Sequence, residues 1–172
     1  MKTLLTSEQL KQSVDQMAED IQASHSSFED IIFVGIQTRG VILSQRVAAR
    51  LKKKNAQEEL GTLDINLYRD DFSSMKKIPI VQKTEIPGGV EGKGIILFDE
   101  VLYTGRTIRA AMDALMDLGR PKFIKLAILV DRGGREMPIQ PDFLGILHEI
   151  GPKQEIQVRF EEIDGEEIVR VK

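Results

Sequence analysis

An α/β fold built on a mostly parallel sheet flanked by helices is predicted by three features of the chain. Two wholly apolar runs, 31–36 (IIFVGI) and 95–98 (IILF), read as strands buried on both faces. Each is followed by a short glycine-bearing loop and a helical pattern, giving strand–loop–helix units. A third run, FIKLAILV over 123–130, ends in a charged turn that also carries glycine. All three loops can open on one sheet edge, which is where open α/β sheets bind ligands.

The elements follow in order. Thr6 and Gln9 form a capping-box pattern, and Leu10, Val14, Met17 and Ile21 then mark one helical stripe, with Asp15, Glu19 and Asp20 opposite. The strand at 31–36 runs into Gln37-Thr38-Arg39-Gly40 and a helix to about Lys54, with Val47, Ala48 and Leu51 inward. Leu63, Ile65 and Leu67 alternate with polar residues, predicting a strand that reaches Tyr68-Arg69-Asp70-Asp71. Pro79, Pro87, Gly88 and Gly89 interrupt Phe72 to Lys93, which reads as a flexible, hairpin-like loop. The strand at 95–98 is expected to end at Asp99 and Glu100, with a loop from Val101 to Gly105. The helix after it has Ile108, Ala111, Leu115 and Leu118 on its apolar face. Gly119 stands where a helix-ending glycine belongs, two residues before Pro121. Late strands are expected at Phe143 to Leu147, Gln154 to Phe160 and Ile168 to Val171, with Asp164-Gly165 as a hairpin turn. With the N-terminus these would form a small hood over the strand ends. One domain over 1–172 is expected, the hood comprising about 1–10 and 135–172.

Composition excludes several classes of function. With no cysteine there is no disulfide, thiolate metal site or cysteine nucleophile. His25 and His148 are far apart in sequence and make a poor basis for a zinc site. No apolar run approaches the ~18 residues of a membrane span, and the N-terminus lacks a long apolar core, so a cytoplasmic protein without membrane attachment is expected. The net charge of −3 argues against broad nucleic-acid binding, and the longest basic run, Lys52-Lys53-Lys54, reads as a solvated helix end.

The stretch 94–118 states a chemistry. Thr104-Gly105-Arg106-Thr107 opens a helix, whose first N–H groups lack intrahelical acceptors and, with the dipole and two threonine hydroxyls, favour an anion such as phosphate. Asp99 and Glu100 offer only acceptors, which suit sugar hydroxyls or the waters of a metal. A site for a sugar phosphate meets both descriptions. Thr38, Arg39 and Gly40, at the mouth of the earlier unit, could hold a second anion.

DEVLYTGRT, preceded by four apolar residues, resembles the phosphoribosyl-pyrophosphate (PRPP) motif of type I phosphoribosyltransferases. VLYTGRT, VGI-x-TRG, LYRDDFS and VDRG most resemble the bifunctional pyrimidine operon attenuator/uracil phosphoribosyltransferase family. The resemblance implies a type I phosphoribosyltransferase fold that forms UMP and pyrophosphate from uracil and PRPP. It implies that Asp99 and Glu100 hold the ribose hydroxyls, that Thr104, Gly105, Arg106 and Thr107 bind the 5′-phosphate, and that Thr38, Arg39 and Gly40 take the pyrophosphate. Asp99, Glu100 and Arg39 would be the catalytic groups. Tyr68, Arg69 and Asp70 would belong to a flexible closing loop, and Asp131 and Arg132 would lie on the base side. Magnesium would be carried by PRPP and water, with no direct protein ligand, and a homodimer or higher homo-oligomer is implied.

Two departures bear on function. Glu100 stands where the family motif has a second aspartate. On the first helix, Asp15, Gln16 and Glu19 stand where attenuator members carry basic residues, and Gln140 also replaces an expected basic residue. Catalysis with weakened RNA attenuation is therefore expected. The alternatives are a non-catalytic, nucleotide-sensing RNA-binding regulator, or a phosphoribosyltransferase for another base. Neither GxxxxGK[ST] nor a GxGxxG after a strand occurs, which disfavours P-loop kinases and dinucleotide enzymes.

Overall fold

The computed structural model describes residues 1–52, 59–69 and 83–172. Its elements are β1 (Lys2–Leu5), α1 (Ser7–Ser24), β2 (Ile31–Ile36), α2 (Arg39–Lys52), β3 (Glu59–Leu63), β4 (Gly94–Leu102) and α3 (Arg106–Asp117). There follow β5 (Phe123–Asp131), β6 (Phe143–Leu147), β7 (Ile156–Arg159), the one-turn helix α4 (Glu161–Asp164) and β8 (Ile168–Val171). A five-stranded sheet has the order β3-β2-β4-β5-β6, with every neighbouring pair parallel. The chain goes from β2 outward to β3 and returns to β4 on the other side of β2. The topological switch point therefore lies between β2 and β4.

Strand alternation builds two cores, one on each face of the sheet. Phe33, Ile96, Phe98 and Leu129 face α1 and α2, where they meet Val14, Met17, Leu43 and Val47. Ile32, Val34, Ile95, Leu97 and Ile128 face α3 and pack against Ile108, Ala111 and Leu115. Such side chains contribute about 1.5–3 kcal/mol each when fully buried. The Phe33 and Phe98 rings lie 5.1 Å apart and join β2 to β4 beneath the switch point.

Thr6 caps α1 as expected: its hydroxyl accepts from the Gln9 N–H, while the Gln9 side chain accepts from the Thr6 N–H. Several boundaries differ from the sequence reading. The strand toward Tyr68 stops at Leu63, because the Asp64 carboxylate accepts from the Asn66 N–H at 2.9 Å and turns the chain into a 3-10 turn, Asn66–Tyr68. Leu67 is consequently 66% exposed. Leu118 keeps the helical phase of the apolar stripe but lies past the end of α3, at its C-cap, and is 53% exposed. Helix α2 ends at Lys52, with Lys53 and Lys54 outside the described residues.

A second, three-stranded antiparallel sheet in the order β1-β8-β7 is formed by segments expected in the hood. Phe143–Leu147, expected in the hood, instead pairs with β5 as the edge strand of the main sheet, with Phe143 buried against the α1 face. The Asp164-Gly165 turn is longer than a two-residue hairpin. Asp164 accepts from the Phe160 N–H and closes α4, and Gly165 ends that helix at φ 67°. Of the expected hairpin-like loop, 72–82 lies outside the described residues; beyond it, Glu85 forms an antiparallel bridge with Thr62.

Candidate active site

Parallel strands β2, β4 and β5 deliver their C-terminal ends to one edge, with Gly35 paired to Phe98 and Leu102 paired to Asp131. Three loops leave that edge: Gln37–Thr38, Tyr103–Gly105 and 132–139. Two glycines set how closely the first two approach. A Cβ on Gly40 would lie 2.3 Å from the Phe98 carbonyl oxygen and 3.3 Å from the Asp99 Cα, so the start of α2 rests directly on β4 where the acids begin. Gly105 has φ 89°, a left-handed conformation that suits glycine, and it turns the chain into α3. The Gln37–Thr38 peptide is cis.

The acids do not close the strand as expected. Strand β4 continues through them to Leu102, because Asp99 pairs with Ile128 and Val101 with Val130 along β5. Asp99 is buried and its carboxylate accepts from the Glu100 N–H at 3.0 Å, while Glu100 is half-buried. Loss of water, followed by the neighbouring Glu100 charge, pushes the Asp99 carboxyl well above the usual carboxylate range. Two acids on adjacent residues, one shielded from water, form a local demand for hydroxyl donors or positive charge.

At the mouth of α3, Thr104 Oγ1 accepts from the Arg106 N–H at 3.3 Å. The next N–H groups of the first turn have no intrahelical acceptor. The Arg106 side chain turns aside, its Nε donating to Glu136 at 2.6 Å. The Thr104 carbonyl accepts from both the Glu136 and Met137 N–H groups at 2.9 Å, which fastens the loop after β5 onto the loop before α3.

Asp131 and Arg132 sit at the end of β5, both buried. Asp131 accepts from the Gly133 N–H at 2.9 Å and pairs with Arg135, whose Nη1 also donates to the Tyr103 carbonyl at 3.0 Å. The Arg132 guanidinium lies 3.7 Å from the centroid of the Tyr103 ring. Both oxygens of Asp131 are thus engaged by its own loop. The sequence reading missed Tyr103 and Arg135 here; only the packing of one loop on the other reveals them. It also missed Asp164, which accepts from Arg39 Nη2 at 2.7 Å across 125 residues of chain.

Not every expected residue joins this cluster. The Tyr68 hydroxyl donates to Asp117 on α3 at 2.9 Å, Arg69 is half-buried just beyond the 3-10 turn, and Asp70 lies outside the described residues. Thr38 is exposed and Arg39 half-buried at the start of α2. Among the described residues no group of three or more His, Asp or Glu side chains could hold a metal ion, and no helix is long and apolar enough to cross a membrane.

An open helix N-terminus thus lies beside paired acids at the switch point, and a family model described as the phosphoribosyl transferase domain matches residues 1–162. The hypoxanthine phosphoribosyltransferase of Trypanosoma cruzi shares the fold at a TM-score of 0.73 and 13% identity, over 99% of this chain and 95% of that one. Bifunctional protein PyrR of Pelotomaculum thermopropionicum is 45% identical over 167 residues, covering 96% of this chain and 92% of the relative. That of Enterococcus faecalis OG1RF is 46% identical over 163 residues, covering 94% and 91%. The chain belongs to the PyrR family, the bifunctional pyrimidine operon attenuator/uracil phosphoribosyltransferases.

Proposed function

We infer that this chain transfers the phosphoribosyl group of PRPP to uracil, releasing pyrophosphate and forming UMP. The observation that carries the reading is the contact of Gly40 with Phe98 and Asp99, which joins the start of α2 to the acid pair. A substrate with a sugar diol and phosphates at both ends matches that arrangement. Asp99 and Glu100 accept from the ribose 2′- and 3′-hydroxyls. Backbone N–H groups from Thr104 to Thr107, with both threonine hydroxyls, take the 5′-phosphate. Thr38, Arg39 and Gly40 hold the pyrophosphate, and Asp131 and Arg132 border the base side through their loop.

The bond from the anomeric carbon to pyrophosphate oxygen breaks as the bond to uracil N1 forms and the N1 proton leaves. Charge grows on the departing pyrophosphate, where Arg39 and the N-terminus of α2 lower the barrier. The donor set fits magnesium, because Asp99 and Glu100 are oxygen acceptors in an anionic, partly dry site suited to its water shell. When bound with PRPP, magnesium supplies charge neutralisation at the diphosphate. The whole chain, 1–172, acts as one catalytic unit with β1, β7 and β8 as its hood, and it works as a homo-oligomer.

RNA attenuation is the second function of this reading, and we propose that it is weak. Asp15 stands on the exposed face of α1 and is already paired with Arg50 at 2.5 Å, so this face offers carboxylates rather than phosphate contacts. Filter binding of a pyrimidine-operon leader hairpin tests this. Weak, nonspecific binding is expected, and tight, salt-dependent binding contradicts it. Steady-state UMP synthesis from uracil and PRPP tests the catalytic reading.

A further inference from the structure

We propose that Asp164, at the end of α4 in the hood, is a positioning residue for Arg39 and orients its guanidinium toward the pyrophosphate. This rests on the reading of Arg39 as a pyrophosphate ligand. The two oxygens of Asp164 do different jobs. Oδ2 accepts from the Phe160 N–H at 2.9 Å and holds the hood's own short helix. Oδ1 accepts from Arg39 Nη2 at 2.7 Å, with Arg159 Nη1 3.5 Å away. The Asp164 side chain is only 7% exposed, so this is not a loose surface pair.

A guanidinium carries five N–H donors in one rigid plane. Anchoring Nη2 therefore decides where the other donors lie. Arg39 Nε is buried and has no hydrogen-bond partner. Such a donor is costly unless a ligand or water completes it. Arg39 thus has one nitrogen tied to the hood and donors left for an anion at the mouth of α2.

A second arginine strengthens the same link. Arg46, at i+7 on the same face of α2, donates to both oxygens of Glu162 at 2.8 and 2.7 Å and pairs with Glu167. Its guanidinium also lies 4.7 Å from the centroid of the Phe160 ring. The hood is clamped to α2 at two points one heptad apart, and the point nearer the site holds Arg39. Hood position and pyrophosphate contact are therefore set together.

The test compares the full-length protein with Asp164→Asn, Arg39→Ala and the double variant. Pyrophosphate binding is read by calorimetry with magnesium pyrophosphate, and kcat and the two KM values by UMP formation. Asp164→Asn should weaken pyrophosphate binding and lower kcat, each on the order of tenfold, with KM for uracil unchanged. The double variant should lose no more than Arg39→Ala alone, because Asp164 acts through Arg39. Wild-type pyrophosphate affinity in Asp164→Asn, or losses that multiply in the double variant, overturns the proposal. Unaltered pyrophosphate binding in Arg39→Ala instead sinks the reading of Arg39 itself. Should Asp164→Asn fail to fold, Arg39→Lys keeps the charge but loses the fork; a similar loss of pyrophosphate affinity supports positioning, and wild-type affinity contradicts it.

Discussion

At the scale of single residues, the chemistry is concentrated in one costly group. Asp99 is buried within β4 beside Glu100, and its carboxyl is held well above the usual range, first by loss of water and then by Glu100. A carboxyl raised in the folded state adds stability only below its unfolded pKa of about 3.9, and that contribution disappears as pH rises toward its folded value. At neutral pH the buried Asp99 carboxyl therefore opposes folding. Asp99→Asn should raise Tm at pH 7 by on the order of a few degrees, and by less near pH 4, while weakening PRPP use. Calorimetry at both pH values and a PRPP titration check this; a lower Tm with wild-type PRPP kinetics contradicts both halves. The candidate site residues were legible in the sequence because acids interrupting an apolar run and a Thr-Gly-Arg-Thr helix opening have few other uses. Asp164 was not legible, since its partner Arg39 lies 125 residues away and only the fold brings them together.

At the scale of elements, the site depends on how two strand ends and two helix starts seat against one another. The Gly40 contact leaves no room for a methyl group, since its nearest neighbours are the backbone of Phe98 and Asp99. Gly40→Ala should destabilise the protein by about 1–3 kcal/mol and push the start of α2 away from β4, lowering turnover. Urea denaturation with parallel kinetics checks this, and unchanged stability would show that the helix can shift freely. The hood has its own pH dependence. Burial pushes Asp164 and Glu167 upward, but hydrogen bonds outweigh it, from Arg39 to Asp164 and from Ser7 and Arg46 to Glu167, and both carboxyls end below their ordinary values. Their stabilisation is present above the unfolded pKa values of about 3.9 and 4.3 and is lost as pH falls through the lower folded values. Amide exchange in β7 and β8 should accelerate below about pH 4 before the main sheet loosens; equal acceleration throughout would contradict this. Strand ends were the least legible part of each element. Apolarity stops at Phe98 and at Leu67, whereas the true ends follow from pairing to β5 and from the Asp64 turn.

At the scale of the whole molecule, the parallel sheet was legible because double burial writes continuous apolar runs into β2, β4 and β5. The seat of Phe143–Leu147 was not, since a short apolar segment fits a hood strand or a sheet edge equally well, and pairing to β5 decides it. We propose that one sheet edge joins a phosphate cradle, an acid pair and a pyrophosphate loop to make UMP. The most direct measurement is nucleotide formation from PRPP and magnesium with uracil, hypoxanthine and orotate offered in parallel. Turnover with uracil is expected, lost on the order of a hundredfold or more in Asp99→Asn/Glu100→Gln. Turnover only with another base, or none with any base despite PRPP binding, would contradict it.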